Sequence, residues 1–189
     1  MRVGLLGGTF DPPHVGHLLV AVDAHEQLEL DRLVFVPAAQ QPLKRSAVRT
    51  PPADRLAMVR AMAGDDPRFE VDPIEMERGG LSFSVDTLET YRRRPGVEAL
   101  FFLIGADVLS SFSQWREPER VQSLAELVIL RRGTESIVHP AWLRAHVLES
   151  RRVDVSSTEI RQRVHHGRSI RGFVPDAVAA HIAAAGLYR

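Results

Sequence analysis

Short β-branched or apolar runs recur along the chain, at Val3 to Leu6, Leu33 to Pro37, Phe69 to Ile74, Leu100 to Gly105, Leu127 to Leu130 and Val153 to Val155. Several are apolar throughout, as strands buried on both faces should be. Between them, apolar residues follow helical spacing. Leu18, Ala21, Val22, His25 and Leu28 share one face, and Leu56, Val59, Met62 and Ala63 form a second stripe. After Pro175, Val178, Ile182 and Ala185 mark a closing helix that Gly186 is suited to stop. Two stretches lack a pattern and read as loops, Ala38 to Pro52 and Arg132 to Arg151.

Strands alternating with helices predict an α/β fold, a Rossmann-like, doubly wound, mostly parallel sheet with helices on both faces. At 189 residues, 44% of them hydrophobic, the chain suits a single domain spanning 1–189. No repeat or inter-domain linker interrupts it.

Charge is balanced, 24 basic residues against 24 acidic, so no net positive field points to nucleic acid as a partner. The chain has no cysteine, which excludes disulfides, thiol nucleophiles and cysteine-rich zinc sites. The apolar start is too short for the core of a signal peptide. The longest apolar run, Ala99 to Ala106, falls well below the ~20 residues that span a bilayer. A cytoplasmic protein without a membrane partner is the expectation.

Candidate chemistry lies where the first strand meets the first helix, in Gly7-Gly8-Thr9-Phe10-Asp11-Pro12-Pro13-His14-Val15-Gly16-His17. In an open parallel sheet this is the edge where ligands sit. Adjacent glycines allow close backbone approach, and the amides of a helix start favour an anion, phosphate above all. The segment is neither a Walker loop nor a Gly-x-Gly-x-x-Gly turn. With a helix beginning near His14, His14 and His17 stand at i and i+3 on one face, both able to donate to phosphate oxygens. Gly16 between them implies that something large packs against the backbone, and a nucleotide base would fit.

A second strand-to-helix junction carries Ser156-Ser157-Thr158-Glu159-Ile160-Arg161. Ser156 with Glu159 makes a capping box, while the hydroxyls and Arg161 also describe a polyphosphate site. Asp107, ending an apolar strand, is either a helix cap or a carboxylate for ribose hydroxyls. Trp115 is either core or a stacking platform. Lys44, the only lysine, is either a solvated charge or a phosphate ligand.

The glycine turn with the late Ser-Ser-Thr-Glu-Ile-Arg resembles the nucleotidyltransferase superfamily with the His-x-Gly-His motif. Phe35-Val36-Pro37, Lys44, the run Glu77 to Leu88, Phe102 to Asp107 and Trp115 extend the likeness nearly end to end, to the bacterial nicotinate-nucleotide adenylyltransferases. The resemblance implies transfer of AMP from ATP to nicotinate mononucleotide in NAD biosynthesis, with Mg²⁺ accompanying ATP and held mainly by phosphates and water. It implies His14, His17 and Arg161 as catalytic residues. Gly8, Thr9, Phe10, Gly105, Asp107, Ser157 and Thr158 would bind ATP, and Lys44, Ser84, Thr87 and Trp115 the acceptor. The family often has Tyr-Thr where this chain has Phe83-Ser84, and histidine where it has Leu43.

An acceptor phosphate is already ionised at neutral pH, so direct in-line attack on the α-phosphorus needs no strong base, only positioning and charge neutralisation. A phosphohistidine intermediate is the rival chemistry. Nicotinamide mononucleotide and phosphopantetheine are rival acceptors, and a nucleotide-sensing module is the rival outside catalysis.

Overall fold

The computed structural model describes residues 1–43, 50–132, 142–151 and 153–189. In chain order, β1 (Arg2–Gly8) leads to α1 (Val15–Gln27), β2 (Arg32–Pro37) to α2 (Pro52–Ala63), and β3 (Phe69–Val71) to α3 (Ile74–Arg78) and α4 (Ser84–Arg92). β4 (Ala99–Gly105) then runs into a 3-10 helix (Ala106–Gln114) and α5 (Pro118–Leu124). β5 (Glu126–Arg132), β6 (Ala145–Ser150), α6 (Ser157–His165) and α7 (Asp176–Ala184) complete the described elements.

All six strands pair in parallel, in the order β3-β2-β1-β4-β5-β6. The order reverses between β1 and β4, so their carboxyl ends splay apart and leave the crevice in which such sheets hold ligands. Strand alternation fills both faces. Leu33, Phe35, Leu103 and Val128 point to one side, where Ala21, Ala24, Met58, Val59, Ile160 and Val178 from α1, α2, α6 and α7 cover them. Leu5, Val34, Ile104 and Ile129 point to the other, under Leu88, Phe112 and Val121 from α4, the 3-10 helix and α5. Each of the buried Val, Leu, Ile, Met and Phe side chains stabilises the fold by roughly 1.5–3 kcal/mol relative to exposure.

The expected doubly wound sheet is present, and it is wholly parallel. Two expected elements are not where the pattern put them. Val153 to Val155 forms no strand, and the strand feeding α6 is β6, inside the stretch expected to be loop. β6 is an edge strand that buries only Leu148 and Ser150 while exposing His146, Val147 and Glu149, so no apolar run announces it. Its pairing with β5, from Leu127 opposite Ala145 to Arg132 opposite Ser150, defines it instead.

The run Phe69 to Ile74 shortens to a three-residue strand. Asp72 Oδ1 accepts the Ile74 N–H at 2.9 Å and turns the chain into α3. Pro175 is the N-cap of α7. Among the described residues no helix is long and apolar enough to cross a membrane.

Candidate active site

β1 ends at Gly8, and a Cβ there would lie 3.0 Å from the Phe10 ring. The glycine therefore makes room for Phe10, which adopts a left-handed φ of 50°. Phe10, expected beside the nucleotide, is 2% exposed and packs edge-on to Phe35 in the core. Its other edge meets the His17 ring, with centroids 5.0 Å apart, so the phenyl ring backs the histidine from inside.

His14 is the N-cap of α1, with extended φ and ψ, and His17 follows at the third helical position. The expected i, i+3 relation holds, with ring centroids 3.7 Å apart. The His14 backbone N–H donates to His17 Nδ1 at 3.2 Å. A nitrogen that accepts carries no proton, so the neutral His17 ring has its hydrogen on Nε2 and offers it as a donor.

At Gly16 a Cβ would stand 3.0 Å from His14 Nδ1, so the glycine clears space for the imidazole of His14.

α6 opens as its sequence predicts, the Glu159 N–H donating to Ser156 Oγ at 3.1 Å. Its first turn docks on the glycine-turn segment. Ser157 Oγ donates to the Pro12 carbonyl at 2.8 Å, and Arg161 Nη1 donates to the Asp11 carbonyl at 2.7 Å. Arg161 Nη2 also reaches Thr158 Oγ1 at 3.2 Å. Two motifs about 150 residues apart in the chain thus meet at Asp11 and Pro12, just upstream of His14.

Across the crevice, β4 ends at Gly105, where a Cβ would collide with the Asp107 carboxylate. Gly105 thus lets Asp107, exposed in the first turn of the 3-10 helix, fold back over the strand end. A cavity of about 430 Å³ opens here, lined among others by Gly8, Ser84, Thr87, Gly105, Asp107 and Trp115. Trp115 is half-buried against Phe102 and Phe112, one edge in the core and the remainder on the cavity. Lys44 lies outside the described residues. A wider hollow of about 980 Å³ lies at the opposite edge, by the amino ends of β4, β5 and β6, far from both motifs.

Three residues of this region are not apparent in the sequence pattern. Glu75 lines the cavity while only 8% exposed. Its Oε1 accepts the Thr87 hydroxyl at 2.7 Å, and the same hydroxyl oxygen accepts Arg78 Nη2 at 3.0 Å. Burial raises the Glu75 pKa above the usual carboxylate value, against the hydrogen bonds from Thr87 and Ser82.

Arg55, 1% exposed, donates Nη1 to the carbonyls of Thr9 and Ala38 and Nη2 to that of Ala39. It ties the loops after β1 and β2 together. Burial lowers its pKa, and the charge of Asp11 opposes the shift. Tyr188 donates its hydroxyl to Asp11 Oδ1 at 2.7 Å, and burial, with that bond, pushes its pKa well up. Arg55 alone left a trace in the sequence, a charge within the apolar stripe of α2. Glu75 and Tyr188 have partners that only the fold supplies.

Comparison with known proteins places the chain in a family. The cytidylyltransferase-like family model matches residues 5–163. A relative from Gemmatimonas aurantiaca named "Probable nicotinate-nucleotide adenylyltransferase" is 54% identical over all of this chain and 93% of its own. One of the same name from Thermus thermophilus is 45% identical over the full length of both. Among solved structures, the Plasmodium falciparum nicotinic acid mononucleotide adenylyltransferase complexed with NaAD superposes with a TM-score of 0.78. It covers 99% of this chain and 97% of its own at 17% identity, a likeness of fold. The chain belongs to the cytidylyltransferase-like family, on the branch of the nicotinate-nucleotide adenylyltransferases.

Proposed function

We propose that the protein transfers the adenylyl group of ATP to nicotinate mononucleotide, giving deamido-NAD and pyrophosphate. The observation that carries this reading is the docking of the α6 amino terminus on Asp11 and Pro12, which brings Ser157 and Arg161 beside the segment that leads to His14 and His17. The end-to-end likeness to relatives bearing that enzyme's name supports the choice of acceptor.

In the proposed reaction a phosphate oxygen of the acceptor attacks the α-phosphorus in line. The bond to the bridging oxygen breaks and its electrons leave with pyrophosphate. Nothing on the protein need accept a proton, because the acceptor phosphate is already ionised. His17, with its proton on Nε2, His14 and Arg161 stabilise charge developing on the triphosphate, together with Ser157, Thr158 and the backbone near Gly8 and Thr9. Asp107 is suited to two ribose hydroxyls, with Gly105 keeping its carboxylate close to the strand end. Thr87, Ser84 and Trp115 border the acceptor ring, and Lys44 is assigned to the acceptor phosphate.

The donors at this site are cationic or hydroxylic, and the described residues form no cluster of three or more metal-ligating side chains. A divalent cation, Mg²⁺ in this reading, fits here as part of the ATP complex, held by phosphate oxygens and water. When bound it neutralises phosphate charge.

The test is pyrophosphate release with ATP and Mg²⁺, offering nicotinate mononucleotide, nicotinamide mononucleotide and phosphopantetheine separately. Turnover with nicotinate mononucleotide far above the others is expected. Preference for another acceptor would overturn the acceptor assignment, and release with none would favour a nucleotide-sensing protein.

A further inference from the structure

Asp11 is a carboxylate set where an anion site tolerates one least. It is 9% exposed, three residues before His14, and its own carbonyl oxygen holds Arg161 Nη1 at 2.7 Å. A guanidinium binds a carboxylate, in a bidentate pair, more strongly than it binds a neutral carbonyl. An Asp11 side chain able to turn toward Arg161 would occupy the N–H groups that the triphosphate requires.

The contacts around Asp11 oppose that turn. Tyr188, 177 residues away in sequence, donates its hydroxyl to Asp11 Oδ1 at 2.7 Å. Thr50, itself buried, hydrogen-bonds to the same hydroxyl, and the Arg55 guanidinium places a compensating charge beside Asp11. Tyr188 makes this contact from a left-handed φ of 64°, a conformation costing a non-glycine residue on the order of 1 kcal/mol. A side chain held so against its backbone preference, over a buried carboxylate at the ligand edge, does more than fill space.

We propose that Tyr188 is a positioning residue of the transfer reaction: it holds the Asp11 carboxylate away from Arg161, so that the guanidinium stays available to the triphosphate. This rests on the assignment of Arg161 to ATP given above. It extends the site to a residue outside both motifs.

The test uses the full chain with Tyr188→Phe, Asp11→Asn and the double variant. Each is measured for pyrophosphate release with ATP varied at saturating acceptor and the reverse, and for Tm. Tyr188→Phe is expected to lower kcat/KM for ATP on the order of 10- to 100-fold while leaving the KM for acceptor unchanged. Adding Asp11→Asn should recover most of that loss, since an amide cannot compete for Arg161 as a carboxylate does. Rescue is the readout that a merely structural tyrosine would not give.

A double variant as impaired as Tyr188→Phe, or Tyr188→Phe indistinguishable from the parent, overturns the proposal. So does a loss shared by both substrates and tracking a fall in Tm. If the parent protein shows no turnover, the transfer reading fails. The proposal is then judged by displacement of trinitrophenyl-ATP by ATP from the same variants, where the same loss and rescue in affinity are expected and their absence overturns it.

Discussion

Arg161 Nη1 sits 2.7 Å from the carbonyl oxygen of Asp11, 150 residues earlier in the chain. One arm of the guanidinium fork is thereby fixed to the glycine-turn segment, and another N–H group reaches Thr158. The fork has five N–H donors in a plane, so its remaining donors are presented in a set direction.

Lysine at this position supplies charge but no fork. Arg161→Lys should therefore lower kcat/KM for ATP by about 10- to 100-fold, and Arg161→Ala by more, with acceptor KM little changed. Steady-state kinetics with each substrate varied will show this. A lysine variant equal to the parent would mean that charge alone is used.

His17 holds its proton on Nε2 because Nδ1 accepts the His14 backbone N–H. His17→Ala removes that donor and should cut turnover by about 100-fold or more, the scale of losing one donor aimed at developing charge. The fold should survive, since His17 is only partly buried. Turnover and Tm measured side by side separate the two effects, and near-parental turnover would remove His17 from the site.

Gly16→Ala tests the cause assigned to that glycine. Alanine is better than glycine within a helix by roughly 0.5–1 kcal/mol, yet its Cβ would lie 3.0 Å from His14 Nδ1 and displace the ring. Activity should fall by about tenfold or more while Tm changes by little, the helix gain offsetting part of the clash. An unaltered rate in this variant would show that the His14 ring need not stay where it is.

How much of this was legible beforehand follows from where the signal resides. β1, β2, β4 and β5 carry apolar runs because both of their faces are buried, so composition announces them. β6 has one exposed edge and an ordinary surface sequence, and only its ladder with β5 reveals it. At the site, His14, His17, Ser157 and Arg161 stand out because their spacing fits two helix starts. Gly16 stands out by its place between the two histidines, but that His14 folds back over its backbone is visible only in the fold. Glu75, Arg55 and Tyr188 act through contacts between distant elements, and those are properties of the fold.

Asp72 provides a pH test of the packing that supports the cavity wall. Burial raises its pKa, but the Tyr91 hydroxyl at 2.5 Å, Arg94 at 2.6 Å and the Ile74 N–H at 2.9 Å outweigh that and hold the carboxyl below its ordinary 3.8. A depressed carboxyl pKa contributes stability that is fully present above the unfolded value, and loses it as pH falls through the lower folded value. Asp72→Asn keeps one acceptor oxygen but loses the charge facing Arg94. It should therefore destabilise the protein by about 2 kcal/mol at pH 7, in line with a charged hydrogen bond. Below pH 3.8 the unfolded chain binds a proton at Asp72 that the folded protein takes up only at its lower pKa, so the parent loses this stabilisation and the gap between the two proteins should narrow. Urea unfolding of both at pH 7 and in acid provides the comparison. A gap that stays constant across that range would mean that the three donors stabilise Asp72 by shape and not by its charge.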